Sequence, residues 1–190
     1  MPNLRIEPTE LPGVLLITPA VYHDARGNFR EVYRRDAYAA AGLPPEFVQD
    51  NQSHSVQNVI RGLHFQTRKP QGKLVGVLCG AILDVVVDIR RGSPTFGRHV
   101  AVELSEQNNR QLFVPAGFAH GFGVLSATAD VLYKCTDFYD PGAEGGLRWN
   151  DPDLAIAWPI PAPLLSAKDR ALPRLAEIPR DLLPTVTPNS

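Results

Sequence analysis

Between residues 47 and 138 the chain is a succession of short apolar runs cut by tight turns, and few architectures accept that pattern. Eight strand-like runs fall at 47–51, 58–66, 73–79, 81–88, 99–104, 110–115, 121–125 and 130–138. Each is too short for a buried helix, and valine, isoleucine and phenylalanine recur in them. Cys79-Gly80, R-R-G-S-P-T-F-G, S-E-Q-N-N and S-A-T-A-D supply turns between neighbours. Such connections are too short for the crossovers that parallel strands need, so the sheet is expected to be antiparallel. The count suits a mainly β, double-sheet jelly-roll barrel with short peripheral helices, whose cavity is lined by alternate residues of several strands.

The flanks are punctuated differently. Residues 14–22 read as a strand with Pro19 near its end, followed by a turn from Asp24 to Gly27. R-D-A-Y-A-A-A-G-L-P-P predicts a short helix, with Asp36 as its cap and Gly42 and Pro44 as its stop. Towards the C-terminus, Ser166 is placed to cap a brief helix carrying Lys168 and Asp169, and 179–190 is expected to be loosely held. With no repeat and no linker, residues 1–190 are read as one domain, the N-terminal segment and the 140–190 region wrapping the barrel.

Composition narrows the function. A formal net charge of -1 gives no broad basic field, which argues against nucleic acid as a partner. No stretch is long and apolar enough for a membrane span, and the N-terminus, rich in Pro and Glu, lacks a signal-peptide core. Cys79 and Cys135, each in an apolar run, are expected to be buried reduced thiols, consistent with a cytoplasmic protein.

The chemistry concentrates in N-Q-S-H-S-V-Q-N-V-I-R-G-L-H-F-Q-T-R-K-P-Q-G-K, residues 51–73, where Arg61, His64, Gln66 and Lys73 interrupt an apolar run. A lone strand histidine is most often a satisfied core residue, but His64 shares a face with Gln66 and has polar company. It is the candidate base. Lys73 is either a strand-end lysine in solvent or a charge that stabilises an enolate. Strict alternation puts Arg61 opposite His64 unless Gly62 marks a bulge. His120 reads as a residue at a loop-to-strand junction, and His54 and His99 as solvated. Metal-binding barrels of the cupin type present H-x-H, whereas this chain has H-F-Q, so metal-dependent oxygenase chemistry is disfavoured and no metal is expected. A metal-free base needs a carboxylate to orient it, and Asp84 and Asp169 are both candidates. Asp84 is the more notable from local pattern, because a carboxylate in a valine-rich strand must find a partner. Tyr133 is either a packing residue or a proton donor opposite His64.

D-A-R-G-N-F-R-E, F-V-Q-D-N, V-I-R-G-L-H-F-Q, Q-G-K-L-V, V-P-A-G-F-A-H-G-F, L-Y-K-C-T, W-N-D-P and L-S-A-K-D occur in order from Asp24 to Asp169. Together they resemble the dTDP-4-dehydrorhamnose 3,5-epimerases, metal-free cupin-type jelly rolls. The resemblance implies epimerisation at C3 and C5 of a dTDP-4-keto-6-deoxy sugar with no cofactor, in a homodimer whose N-terminal segments complete each other's sites. It makes His64 the proton acceptor, Asp169 its partner, Tyr133 the proton donor and Lys73 the neighbour of the C4 oxygen. Arg26, Glu31, Gln49, Asp50, Asn51, Arg61, His120, Glu144 and Lys168 match nucleotide- and sugar-binding positions. Phe138 falls where an aromatic ring stacks on the thymine, and Gly76 stands where the family often has a basic residue. A single-site epimerase of a related deoxysugar pathway and a non-catalytic sugar-nucleotide-binding cupin are the alternatives; Tyr133 speaks against the first, and intact His64, Tyr133 and Asp169 against the second.

Overall fold

A computed structural model of the chain describes residues 4–44 and 46–186. Its strands are β1 (Leu4–Pro8), β2 (Leu15–Pro19), β3 (Val21–Asp24), β4 (Gly27–Arg30), β5 (Gln49–Val56), β6 (Ile60–Gln66) and β7 (Lys73–Cys79). They continue with β8 (Ala81–Asp88), β9 (His99–Ser105), β10 (Gln111–Val114), β11 (Phe118–Val124), β12 (Thr128–Cys135) and β13 (Glu144–Gly146). Two short helices, α1 (Arg35–Ala40) and α2 (Ala167–Arg170), lie outside the sheets. The eight runs expected between 47 and 138 correspond to β5–β12. The run expected over 14–22 is instead two strands, broken after Pro19.

Strand order is β1-β2-β10-β7-β12-β5 in one sheet and β13-β6-β11-β8-β9 in the other, every neighbouring pair being antiparallel. This is the double-sheet jelly roll. Period-2 alternation sends Val75 and Val77 of β7, Ile82 and Val86 of β8, Phe118 and Phe122 of β11, and Ala129 and Val131 of β12 into the intersheet core. Burying each large side chain there contributes about 1.5–3 kcal/mol. The opposite face of β6, β8 and β11 carries Leu63, Phe65, Val85, Val87 and Ala119, which pack under Leu147, Leu154, Leu175, Ile178 and Leu183. That second layer makes the five-stranded sheet apolar on both faces and holds the C-terminal region against it.

Local details depart from the sequence reading at several places. Asp36 lies within the first turn of α1; Arg34 occupies the cap position and makes no side-chain cap bond. Ser166 does cap α2, its Oγ accepting from the Asp169 N–H at 3.0 Å. The segment from Pro179 as far as Val186 is tied down: Leu183 is buried and Arg91 N–H donates to the Pro184 carbonyl at 2.7 Å, while 187–190 lie outside the described residues. Cys135 is buried but Cys79 is exposed. Cys79 ends β7 at the hairpin, where Gly80 adopts φ +80° and a Cβ would come within 2.1 Å of the Thr128 carbonyl.

Candidate active site

β6 departs from strict alternation at the point the site needs it. Its register with β11 runs His64 against His120 and then Arg61 against Phe122, so β6 spends one more residue than its partner over this interval. That extra residue is a β-bulge at Gly62-Leu63. Gly62 has φ +108°, and a Cβ on it would lie 2.8 Å from both Gly121 Cα and the His120 carbonyl oxygen. The bulge brings Arg61 onto the inner face with His64. Arg61 then spans the gap between the sheets, its Nε donating to Ser55 Oγ on β5 at 3.0 Å and its Nη2 to the His54 carbonyl at 3.2 Å.

His64 lines a cavity of about 350 Å³ between the sheets. Its Nε2 lies 2.6 Å from Asp169 Oδ1, although the two residues are separated by 105 positions. Burial pushes the Asp169 carboxyl up, but bonds from His64, Ser166 and the Gly62 N–H outweigh it and leave it below the usual aspartate range. It is therefore ionised at neutral pH and accepts, which puts the proton on His64 Nε2 and leaves Nδ1 able to receive one.

Opposite stand Lys73 on β7 and Tyr133 and Cys135 on β12, all facing inward, with Lys73 and Cys135 directly paired across the two strands. Lys73 keeps part of its side chain open to the cavity, while desolvation of its ammonium pushes it below the usual lysine range. Cys135, Asp84 and Glu144 pull it back up. Burial raises the Tyr133 phenol, and Cys135 adds to this while the Arg61 charge opposes it. Tyr133 is thus a protonated donor at neutral pH.

The mouth is built from β5, β13, α2 and the segment after β12. Gln49 donates to Asn51 Oδ1 at 3.0 Å and accepts from the Tyr139 N–H at 2.9 Å. Glu144 accepts from the Tyr139 hydroxyl at 2.5 Å and pairs with Lys168. Burial pushes its carboxyl up, but the bonds from Lys168 and Tyr139 prevail and hold it below the usual glutamate range. Phe138 is 64% exposed beside this mouth, and its carbonyl accepts from Gln66 Nε2 at 3.4 Å.

The two candidate carboxylates for His64 are separated by the fold. Asp169 reaches His64, while Asp84 is fully buried and its Oδ1 lies 2.8 Å from His120 Nε2. His120 itself is a buried mid-strand residue of β11, not the loop-junction residue its neighbours suggested. His54 and His99 also lie within strands, His54 against Asp130 at 3.0 Å. Asp50 is on the outer face of β5, paired with Lys134 at 2.8 Å, so it does not line this cavity. Arg26 is at the tip of the exposed β3–β4 hairpin, bound to Asp24 at 2.5 Å, and Glu31 follows that hairpin, 3.7 Å from Arg34. Tyr139, Gln71 and Cys135 line the cavity without having been singled out as site residues. For Cys135 the signal was available, since it stands two positions after Tyr133 on one strand and so shares its face.

Among the described residues no three His, Cys, Asp or Glu side chains converge as a metal-ligand set. A larger cavity of about 790 Å³ lies between the 91–97 loop and the 153–183 region, lined by Arg91, Phe96, Leu154 and Arg180. Its lining includes one carboxylate, Asp153, but no histidine, lysine or tyrosine, so a base, a cation and a phenol converge only in the smaller one.

Residues 8–177 match the family model described as dTDP-4-dehydrorhamnose 3,5-epimerase. The chain is 55% identical over 162 residues to the enzyme of that name from Pseudomonas aeruginosa, covering 84% of this chain and 90% of that one. With the one from Methanothermobacter thermautotrophicus it shares 47% over 182 residues, covering 94% and 98%. The crystal structure of dTDP-6-deoxy-D-glucose-3,5-epimerase from Legionella pneumophila, in complex with dTDP-4-keto-L-rhamnose, superimposes with a TM-score of 0.96 at 48% identity, covering 98% of this chain and 100% of that one.

Proposed function

The chain belongs to the dTDP-4-dehydrorhamnose 3,5-epimerase family, and from that premise we propose which of its groups move each proton. It is an isomerase that converts dTDP-4-dehydro-6-deoxy-D-glucose to dTDP-4-dehydro-L-rhamnose by inverting C3 and C5, a step of dTDP-rhamnose biosynthesis. In our reading His64 takes the proton from the carbon beside the C4 carbonyl, and the electron pair left behind delocalises onto the C4 oxygen as an enolate. Asp169 stabilises the imidazolium that results and keeps the ring oriented. Lys73 holds the enolate charge. Tyr133 then delivers a proton to the opposite face, which inverts the centre. Its phenolate and the imidazolium are reset by solvent before the second carbon reacts.

The single observation that carries this reading is the 2.6 Å His64–Asp169 bond in a cavity that also contains Lys73 and Tyr133. Around it, Gln49, Asn51, Glu144 and Lys168 are proposed to grip the sugar, His120 and Arg61 the sugar and diphosphate, and Phe138 the thymine ring. Arg26 and Glu31 are proposed to act in the other subunit of a homodimer, together with Asp50 at the interface side of β5. Supporting that assignment, the β3–β4 hairpin displays Tyr22 and Phe29 at 58% and 69% exposure, a large apolar surface for so small an element. The whole chain, 1–190, is proposed to work as one domain. Free thiols at Cys79 and Cys135 support a reducing, cytoplasmic setting, and no described helix is long and apolar enough to cross a membrane.

The test is solvent exchange. Incubated with dTDP-4-dehydro-6-deoxy-D-glucose in deuterated water, the enzyme is expected to incorporate deuterium at both C3 and C5. Label at one carbon only would establish a single-site epimerase, and none would overturn the assignment of His64. His64→Ala should abolish exchange, whereas Tyr133→Phe should leave abstraction measurable and impair inversion.

A further inference from the structure

Asp84 is the most deeply buried ionisable group near the cavity, and the mechanism above gives it nothing to do. It stands on β8 between Leu83 and Val85, with an exposure of 0%, facing inward with Ile82 and Val86. A carboxylate in that position is costly, and an apolar residue of similar size would pack there more favourably unless the charge were used. His120 accounts for only half of it. Asp84 Oδ1 meets His120 Nε2 at 2.8 Å, while Oδ2 has no hydrogen-bond partner among the described residues. Lys73 is the complementary case, an inward-facing cation with no ion-pair partner within 4.0 Å among the described residues. Lys73, His64 and His120 line one small internal space, so the unpaired oxygen and the unpaired ammonium lie in the same part of the barrel.

We propose that Asp84 is a positioning residue for the epimerisation: through Oδ1 it fixes the His120 ring, and through the charge on its unshared oxygen it keeps Lys73 an ammonium facing the C4 oxygen. The inference rests on the reading of Lys73 as the holder of the enolate charge. An enolate is stabilised by a cation and not by a neutral amine, so whatever keeps the amine protonated in a desolvated site sets the pH range over which the enzyme turns over. The groups that face Lys73 are Cys135 and Tyr133 from β12, Asp84 from β8, His120 from β11, His64 from β6 and Glu144 from β13, with Asp169 behind His64. Glu144 is already engaged by Lys168 and Tyr139, and Asp169 by His64. Asp84 is the carboxylate of this set with an oxygen to spare. Desolvation lowers Lys73, and Cys135 followed by the Asp84 charge oppose it, so removing the Asp84 charge moves Lys73 further down.

The experiment measures kcat and KM against pH for the full chain and three variants. Asp84→Asn is expected to lower kcat by about 10- to 100-fold, short of the ~10²–10³ lost with a whole oxyanion-stabilising group. KM should stay within about twofold, and the alkaline limb of the kcat profile should move to lower pH. A merely structural role would lower activity without moving that limb. Asp84→Asn with an unmoved limb, or with kcat within about twofold of the parent, overturns the proposal. If that variant does not fold, His120→Asn decides: it leaves the Asp84 charge in place with one partner fewer, so its limb must not move to lower pH, and such a movement overturns the proposal. Lys73→Met separates the two readings. Full activity in Lys73→Met would refute the role of Lys73 itself, whereas an inactive Lys73→Met beside an unmoved limb in Asp84→Asn refutes only the inference about Asp84.

Discussion

Replacing Asp169 by Asn changes one atom, and the structure says which way that atom will turn. Asp169 sits in the first turn of α2, held by the Ser166 cap through its backbone N–H, so the helix does not depend on its side chain. The carboxylate lies between His64 Nε2, at 2.6 Å, and the Gly62 N–H. The Gly62 N–H favours the carbonyl oxygen of an asparagine in the same rotamer, because an amide NH₂ cannot accept from that donor. Its NH₂ then faces His64, and Nε2 has to accept. The ring proton moves to Nδ1, the nitrogen that should have received the substrate proton, and the negative charge that stabilised the imidazolium is lost as well. In comparable His–carboxylate pairs this wrong-tautomer substitution costs roughly 10⁴ in kcat, about 5.5 kcal/mol of barrier. Asp169→Asn should therefore lower both kcat and the rate of deuterium incorporation at C3 and C5 by about 10³–10⁴-fold, with KM changed little. Circular dichroism and thermal melting check that the fold is retained. A folded Asp169→Asn enzyme within about tenfold of the parent would refute the argument that this carboxylate sets the tautomer.

Gly62→Ala should cost about 1–3 kcal/mol in chemical denaturation and reduce kcat more than tenfold, because its Cβ meets backbone atoms of β11 at 2.8 Å and pries His64 from His120. Asp88, at 0% exposure, accepts from Arg90, Ser93 and Thr95, and these bonds outweigh burial to hold its carboxyl below the usual aspartate range. Its contribution to stability is complete above the unfolded value and disappears as pH falls through the lower native one, so melting curves should drop steeply below about pH 4. Asp88→Asn should lose about 3–5 kcal/mol at pH 7 and show a flatter acid dependence, provided Arg90 is left unpaired; an unchanged acid slope would contradict the assignment. Phe138→Ala should weaken dTDP binding by about 1–3 kcal/mol in calorimetry without lowering exchange at saturating substrate. Activity should survive a strong chelator in full, and its loss would reopen the question of a metal.

Most of the fold was legible because a jelly roll is specified by local signals, short alternating strands and the turns between them. β5–β12 appear where the apolar runs stand, and Ser166 announces α2. Failures cluster where a residue's face depends on a strand boundary. Ending the first run at residue 51 hid that β5 continues to Val56 and carries His54 as a strand residue. Starting β11 at Gly121 hid that Phe118, His120 and Phe122 share one face, which would have placed His120 inside. Cys79 was misjudged for a related reason, since an apolar run does not tell where a strand runs past the rim of its barrel.

The pairing of His64 with Asp169 belongs to a different class of information. Asp84 was the better guess from local pattern, because a carboxylate among valines must find a partner, and it does find one in His120. What local pattern lacks is the course of the chain after β13, which brings α2 back against β6. Asp169 was one of two candidates, and only the resemblance chose it over Asp84, since the closing contact spans 105 residues and no periodicity reaches that far. The bulge at Gly62 lies between the two cases. Gly62 could be recognised as a possible irregularity, but whether it adds a residue depends on the strand beside it. β11 presents Gly121 there, and the two glycines approach so closely that a Cβ on Gly121 would lie 2.4 Å from the Arg61 carbonyl oxygen. Neither position accepts a side chain while the other strand stays where it is. The inner face of β6 can therefore carry both Arg61 and His64, the proposed anion grip and the proposed base, because two glycines on neighbouring strands give up their side chains to let one extra residue in.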